Sequence, residues 1–305
     1  MKVFVSGLVN IESTLKIEGF PLPYYPIDYP FFGIQSSVSG VAYNVAKAFR
    51  TLGNEVQIVS FVGQDAEGER IEKEIRANDM DTAFLLQELA ETPVTIAIYD
   101  REGRRQIHCD LKDIQEKAME NKKVEQKLAE SDLAVLCNIN FNRPLLKRAK
   151  ELGKRIATDV HVIADSEDAF NKEFMECADI LFLSDEKLPC SSEEFLIELK
   201  GKYPAEVIVI GLGASGAICY DRRKDELCKL PAVQIGGIIN TIGAGDALFT
   251  SFLNYYEKGY TAAEALKRAE VFAALKIQHD GAAKGFCDEK AVEEIYRSQW
   301  ADTRG

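Results

Sequence analysis

The chain has 305 residues, enough to bury a large core, and its 46% hydrophobic and 28% charged residues, without repeats or low-complexity tracts, exclude a fibrous or disordered protein. A formal net charge of -12 with no stripe rich in Lys and Arg argues against a nucleic-acid partner. Any anionic ligand must be held by local features such as helix N-termini and backbone amides.

The N-terminal MKVFVSGLV reads as a buried strand entering a glycine turn. Its apolar run is too short for a signal peptide or a membrane span, so a cytoplasmic location without a membrane partner is expected. Between Ile11 and Ser39 a polar/apolar alternation is interrupted by FPLPYYPIDYPFF, where prolines at 21, 23, 26 and 30 exclude a helix. The segment predicts strand, loop, strand. Its aromatics, Tyr24, Tyr25, Tyr29, Phe31 and Phe32, leave packing, stacking on a substrate and a dimer contact open. In SGVAYNVAKAFRTLGNEVQIVSFVGQDAEGE, Gly40 opens a helix, Asn44 stands on its first turns, Gly53 ends it, and a strand leads to a second glycine turn. TPVTIAIYD and RRQIHCDL, joined by a turn at Arg101-Glu102-Gly103, give a hairpin signal over 92–110.

Short apolar runs predict strands at 2–7, 55–60, 132–136, 155–159, 179–183 and 206–210. Helical periodicity predicts helices at 40–52, 67–78, 113–129, 144–152, 168–177, 192–201, 244–258, 261–279 and 288–297. This alternation predicts one α/β domain over 1–305, with a mainly parallel sheet covered by helices on both faces. Segments 11–38 and 92–110 are expected to form a small β-sheet lid, whose strand edges suggest a homodimer joined through the lid. The seven cysteines contain no CxxC pair, and most are expected to be buried and reduced. The three histidines lack the spacing of a metal site.

Chemistry is concentrated in NTIGAGDALF at 240–249. Gly243, Ala244 and Gly245 precede a helix-forming run, so their backbone amides are placed to converge on an anion at the helix N-terminus. Asp246, in the first turn, is either the base that phosphoryl transfer to an alcohol needs or a capping carboxylate. GLGASG at 211–216 matches GxGxxG, but AICYDRR after it reads as a strand and not as the helix a dinucleotide site requires. Asn138 and Asn140, after a strand, either point into the crevice at its carboxyl end or cap the next helix. His161 at another strand end reads as a structural residue, and His108 on the lid as a weaker substrate contact.

Together, the segments at 39–69 and 240–249 resemble the two signatures of the ribokinase-like carbohydrate kinases, the PfkB family, and the likeness extends over nearly the whole chain. It implies a three-layer α/β/α ribokinase-like fold, with ATP and Mg²⁺ as cofactors and a sugar-like acceptor. In the matching positions, Gly7, Asn10 and Glu12 follow the first strand, with Glu12 where the family usually has Asp. Gly40 and Asn44 line the sugar site, with Ser39 in place of a first glycine. Asn240 replaces a leading Asp that often helps to bind a monovalent cation, which leaves activation by K⁺ open. Gly211, Gly213, Ser215 and Gly216 match the nucleotide-phosphate loop, with Gly211 where Thr is usual, and Ser184 and Thr241 are taken as further nucleotide contacts. Ser184-Asp185-Glu186-Lys187 replaces the usual Asn-x-x-Glu, which leaves open whether Asp185 or Glu186 supplies the acid that organises Mg²⁺ or the metal is organised differently. The expected activity is transfer of a phosphoryl group from ATP to a hydroxyl, with Asp246 as base. The alternatives are a nucleoside kinase or a catalytically weak sensor of the same fold, and an NAD-dependent oxidoreductase rests on the glycine loop alone.

Overall fold

The computed structural model describes residues 1–300. In chain order its strands are β1 (Lys2–Ser6), β2 (Asn10–Lys16), β3 (Ile34–Ser39), β4 (Glu55–Gly63), β5 (Leu85–Leu89), β6 (Val94–Tyr99), β7 (Arg105–Asp110), β8 (Leu133–Leu136), β9 (Arg155–Val162), β10 (Ile180–Ser184), β11 (Val207–Gly211), β12 (Ala217–Asp221) and β13 (Glu226–Leu230). The helices are α1 (Val41–Thr51), α2 (Ala66–Ala77), α3 (Lys122–Glu130), α4 (Arg143–Glu151), α5 (Lys172–Cys177), α6 (Ser192–Lys202), α7 (Ala244–Glu257), α8 (Ala262–Lys276) and α9 (Glu289–Trp300).

Strand alternation explains the three layers. Along β1, Val3 and Val5 enter a core shared with α1, α7 and α8, while Phe4 between them enters a second core shared with α3 to α6. A strand buried on both faces calls for helices on both, as in parallel α/β sheets. The main sheet runs β13-β12-β11-β10-β9-β8-β1-β4-β5, parallel from β11 to β5, with β12 and β13 added antiparallel at one edge. β1 lies between β8 and β4, where the strand order reverses, and open α/β sheets bind ligands outside the carboxyl ends of strands at such a point.

The two segments expected as a lid pair with one another in a separate sheet, β3-β2-β6-β7. β2 is antiparallel to β3 and parallel to β6, and β7 is antiparallel to β6. Asn10, Glu12 and Thr14 alternate onto the buried face of β2, and the register sets Glu12 opposite Thr95, which in turn faces Cys109. The other face carries Ile34 and Ile96, 63% and 52% exposed.

Several expectations change. The helix expected at 113–129 is a short 3-10 turn at Ile114–Glu116 followed by α3, because the Asn121 side chain accepts from the amides of Lys123 and Val124 and starts the helix there. The helix expected at 168–177 is shortened to α5, since Asp168 accepts from the Asn171 amide in a preceding turn. β5 and β13 carried no signal: β5 buries only its two end residues and β13 is a largely exposed edge strand. Only Cys137 and Cys219 are fully buried among the seven free cysteines, with Cys109 and Cys190 exposed. Among the described residues, no helix is long and apolar enough to cross a membrane.

Asp65 ties the main sheet to the small one. It caps α2 through the Gly68 amide at 2.8 Å and accepts from the Thr92 amide and hydroxyl at 2.7 and 2.6 Å, just before β6. Burial raises its carboxyl, but the bonds from Thr92 and Gly68 outweigh this and hold it below the usual range. Asp65→Ala should therefore cost about 0.5–2 kcal/mol at neutral pH. A group whose folded pKa is depressed stabilises above the unfolded value, so the difference from wild type should shrink as pH falls below about 4. Urea unfolding at pH 7 and pH 3.5 (about those values) reads both effects.

Candidate active site

Two helices begin at the cavity because glycine permits it. Gly40, ahead of α1, has φ +100°, and a Cβ there would lie 2.4 Å from the Leu8 carbonyl oxygen. Gly243, ahead of α7, has φ +81°, and a Cβ would lie 2.4 Å from the Ala282 carbonyl oxygen. Only glycine adopts these conformations at such close approach without strain. The first turns then present Asn44 from α1 and Asp246 from α7, and the Asn44 Nδ2 donates to Asp246 Oδ2 at 2.7 Å.

Between the two sheets lies a cavity of about 220 Å³. Asn10, Glu12 and Thr95 of the small sheet line it, with Gly40 and Asn44, then Gly243, Gly245 and Asp246, and finally Asp159 and His161 from the end of β9. Arg105, Ile107 and Cys109 of β7 complete it. Asn10 Nδ2 donates to Thr95 Oγ1 at 2.6 Å. Asn10 Oδ1, Glu12 Oε1 and Asn44 Oδ1 are buried and have no hydrogen-bond partner among the described residues. Unpaired buried acceptors are costly, and several along one cavity suit a ligand rich in hydroxyl donors.

The electrostatics are strained by crowding. Burial and then the Asp246 charge push Glu12 up to about 7, with Lys276 and Ser39 opposing. Burial likewise raises Asp246, against the Asn44 hydrogen bond and the charge of His161. Burial would lower His161, but the Asp159 carboxylate, 3.4 Å from Nδ1, prevails and holds the imidazole at about 9, so it is cationic at neutral pH. His161 also has φ +60°, uncommon for a non-glycine residue.

The sequence-predicted residues separate into groups. Asn10, Glu12, Gly40, Asn44, Gly243, Gly245 and Asp246 converge on the cavity. The Ala244 amide donates to the Thr241 carbonyl at 3.1 Å, so it is turned into the loop rather than toward a ligand. Asn138 is not brought to the cavity: its Nδ2 donates to Asn171 Oδ1 at 2.9 Å and to the Val160 carbonyl at 3.4 Å. Asn140 is a turn residue bonded to Gln115 and Arg143. His108 lies opposite Ile96, on the face of the small sheet away from the cavity.

The residues assigned to the nucleotide sit one step along the same sheet edge. Ser184 and Gly211 are register partners at the carboxyl ends of β10 and β11. Gly213 and Ser215 form a 3-10 turn, and a Cβ on Gly216 (φ +96°) would meet the Leu230 carbonyl oxygen at 2.1 Å. A Cβ on Gly211 would lie 3.9 Å from Leu248 of α7, so this loop flanks the helix that carries Asp246. The strand after it, β12, accounts for the failure of the dinucleotide pattern. The Asp185 amide donates to the Gly211 carbonyl at 2.9 Å, and burial raises the Asp185 carboxyl. Glu186 pairs with Arg105 of β7 at 3.2 Å. Among the described residues no cluster of three or more His, Cys, Asp or Glu side chains is poised to hold a metal. Asp185 and Glu186, at the end of β10 beside this loop, are the carboxyls that could meet a metal carried by phosphates.

Thr95, Arg105 and Asp159 were missed. The alternation of β6 and β7 contained the first two, but only the β2–β6 pairing says which face is inward. Asp159 stood two residues before His161 in the sequence, and its role emerges only as that histidine's partner.

The family model for pfkB family carbohydrate kinases matches residues 2–289. The chain is 27% identical over 310 residues to the ribokinase of Lactococcus lactis, covering 93% of each protein. It is 22% identical over 263 residues to the nucleoside kinase of Methanocaldococcus jannaschii, covering 85% of this chain and 84% of that one. The solved structure of the microbiome-derived acarbose kinase Mak1 superposes with a TM-score of 0.85 at 21% identity, covering 97% of this chain and 98% of the other, which shows a common fold.

Glu12 generates a prediction. Glu12→Ala should weaken binding of a polyhydroxylated ligand by roughly 10- to 100-fold, the scale of a hydrogen bond to a charged group. An ionised carboxylate accepts more strongly than a neutral one, so with Glu12 at about 7 wild-type affinity should rise from about pH 6 to about pH 8. Glu12→Gln should flatten that rise in calorimetric titrations.

Proposed function

The chain belongs to the pfkB family of carbohydrate kinases, and we propose that it transfers the γ-phosphoryl group of ATP to a hydroxyl of a sugar-like acceptor held between its two sheets, with Asp246 as the base. The observation that carries this reading is the meeting, in one cavity, of a first-turn carboxylate with the buried unpaired acceptors of Asn10, Glu12 and Asn44.

In this mechanism the acceptor lies against Asn10, Glu12 and Asn44, which fix its hydroxyls, and one hydroxyl points at Asp246. The Asn44 amide holds the carboxylate in a fixed orientation. As the acceptor oxygen bonds to the γ-phosphorus, its proton passes to Asp246 and the bond to the β-phosphate oxygen breaks, releasing ADP. The amides of Gly243 and Gly245 and the positive end of α7 stabilise charge on the transferring group. Mg²⁺ bound to the phosphates would neutralise further charge, with Asp185 placed to hold it through water. The loop 211–216, Ser184 and Thr241 seat the triphosphate. The small sheet acts as a lid within a single kinase domain, and the Arg105–Glu186 ion pair links it to the nucleotide side.

Names of relatives suggest the acceptor range: one is a ribokinase, one a nucleoside kinase, and one an acarbose kinase. A panel of pentoses, hexoses, nucleosides and pseudo-oligosaccharides, read by acceptor-dependent ADP release, tests the activity; no turnover on any member sinks it. Asp246→Asn should lower kcat by roughly 10²- to 10⁴-fold while leaving ATP binding nearly unchanged. Near-normal kcat, with chemistry rate-limiting, would remove Asp246 from its role.

The outer face of the small sheet supports a homodimer joined through the lid. Ile34 and Ile96 stand exposed on it, and the loop between β2 and β3 exposes Tyr24 and Phe31, at 89% and 85%. Small-angle scattering at micromolar concentration should give twice the chain mass, and Ile96→Lys should shift it toward one.

A further inference from the structure

Lys276, the last residue of α8, is fully buried. Its ammonium donates to the carbonyl of Ile242, in the loop that leads into α7. The rest of that loop is also fastened to the end of α8: the amides of Ile239 and Asn240 donate to the Ile277 carbonyl at 2.9 and 3.2 Å. Asn240 Nδ2 donates to Asp280 Oδ1 and Asn240 Oδ1 accepts from the Ile242 amide, both at 2.8 Å.

A buried ammonium is expensive, and an apolar side chain of similar length would fill the same space more cheaply. The charges around it explain its presence. Asp246, Glu12 and Asp280 attract it, against burial and the charge of Arg105. Burial lowers Lys276 to about 8, which leaves it mostly protonated at neutral pH. In return, its charge draws both Glu12 and Asp246 toward ionisation.

We propose that Lys276 is a positioning residue for phosphoryl transfer: a built-in cation that holds the 240–243 loop in the shape that opens α7 and favours the ionised Asp246, so that the loop needs no bound potassium ion. This rests on the kinase reading, and the experiment separates the two. Wild-type turnover should be equal in potassium and tetramethylammonium salts. Lys276→Gln keeps a donor for the Ile242 carbonyl but removes the charge. It should move the acid limb of the pH profile of kcat upward, so that its loss against wild type grows as pH falls. A loss of packing alone would not move that limb. Several-fold activation of the wild type by potassium, or an unchanged limb and rate in Lys276→Gln, overturns the proposal. If the wild type turns over no acceptor, the kinase reading falls, and Lys276 is judged by calorimetry with a non-hydrolysable ATP analogue and Mg²⁺. Affinity at least about 10-fold weaker in Lys276→Gln then supports it, and equal affinity overturns it. Should Lys276→Gln fail to fold, the wild-type response to potassium decides.

Discussion

One hydrogen bond, from Asn44 to Asp246, joins two helices whose partners are 202 residues apart in sequence. Its geometry depends on both helices starting where they do. Those starting points are fixed in turn by Gly40 and Gly243, each pressed against a carbonyl oxygen that would exclude any side chain. The cavity, the orientation of the carboxylate and the approach of the small sheet all refer back to this pair of helix starts. A displacement of either helix by an ångström would remove the bond and aim the carboxylate elsewhere, which is how packing remote from the chemistry governs it.

Charge around the cavity is arranged in pairs that pull against burial. Asp159 keeps His161 cationic, while Asn44 and His161 partly offset the penalty on Asp246. Burial and the Asp246 charge leave Glu12 at about 7. Two carboxyls in one cavity thus have different environments, one oriented by an amide and the other with an oxygen left unpaired. That asymmetry fits one carboxylate for proton transfer and one for holding a ligand.

Much of this was legible in the sequence because glycine is legible. Gly40 and Gly243 announce helix starts, and a polar residue within the first turns of each helix is then placed by the helix itself. Apolar runs marked β1, β4 and β8 to β11 because strands buried on both faces are largely apolar, although β4 carries Gln57 and Ser60 and β9 carries Asp159 and His161 near its end. What escaped was decided by partners distant in sequence. β13 is an exposed edge and carries no apolar run. Arg105 and His108 are three residues apart on one strand, so they face opposite sides, and nothing local says which side meets the cavity. Asn138 and Asn44 are the same residue type near similar turns, yet Asn171 engages the first and Asp246 the second.

The small sheet is built on a parallel pairing of β2 with β6, in which Ile11 lies beside Val94. Parallel neighbours require a long crossover, and here it consists of β3, α1, β4, α2 and β5. Closing so long a loop is entropically costly, and ordering the intervening β4 and α1 against β1 lowers that cost. One wall of the cavity therefore rests on a long-range pairing, and β2 is synthesised about eighty residues before the strand it lies beside.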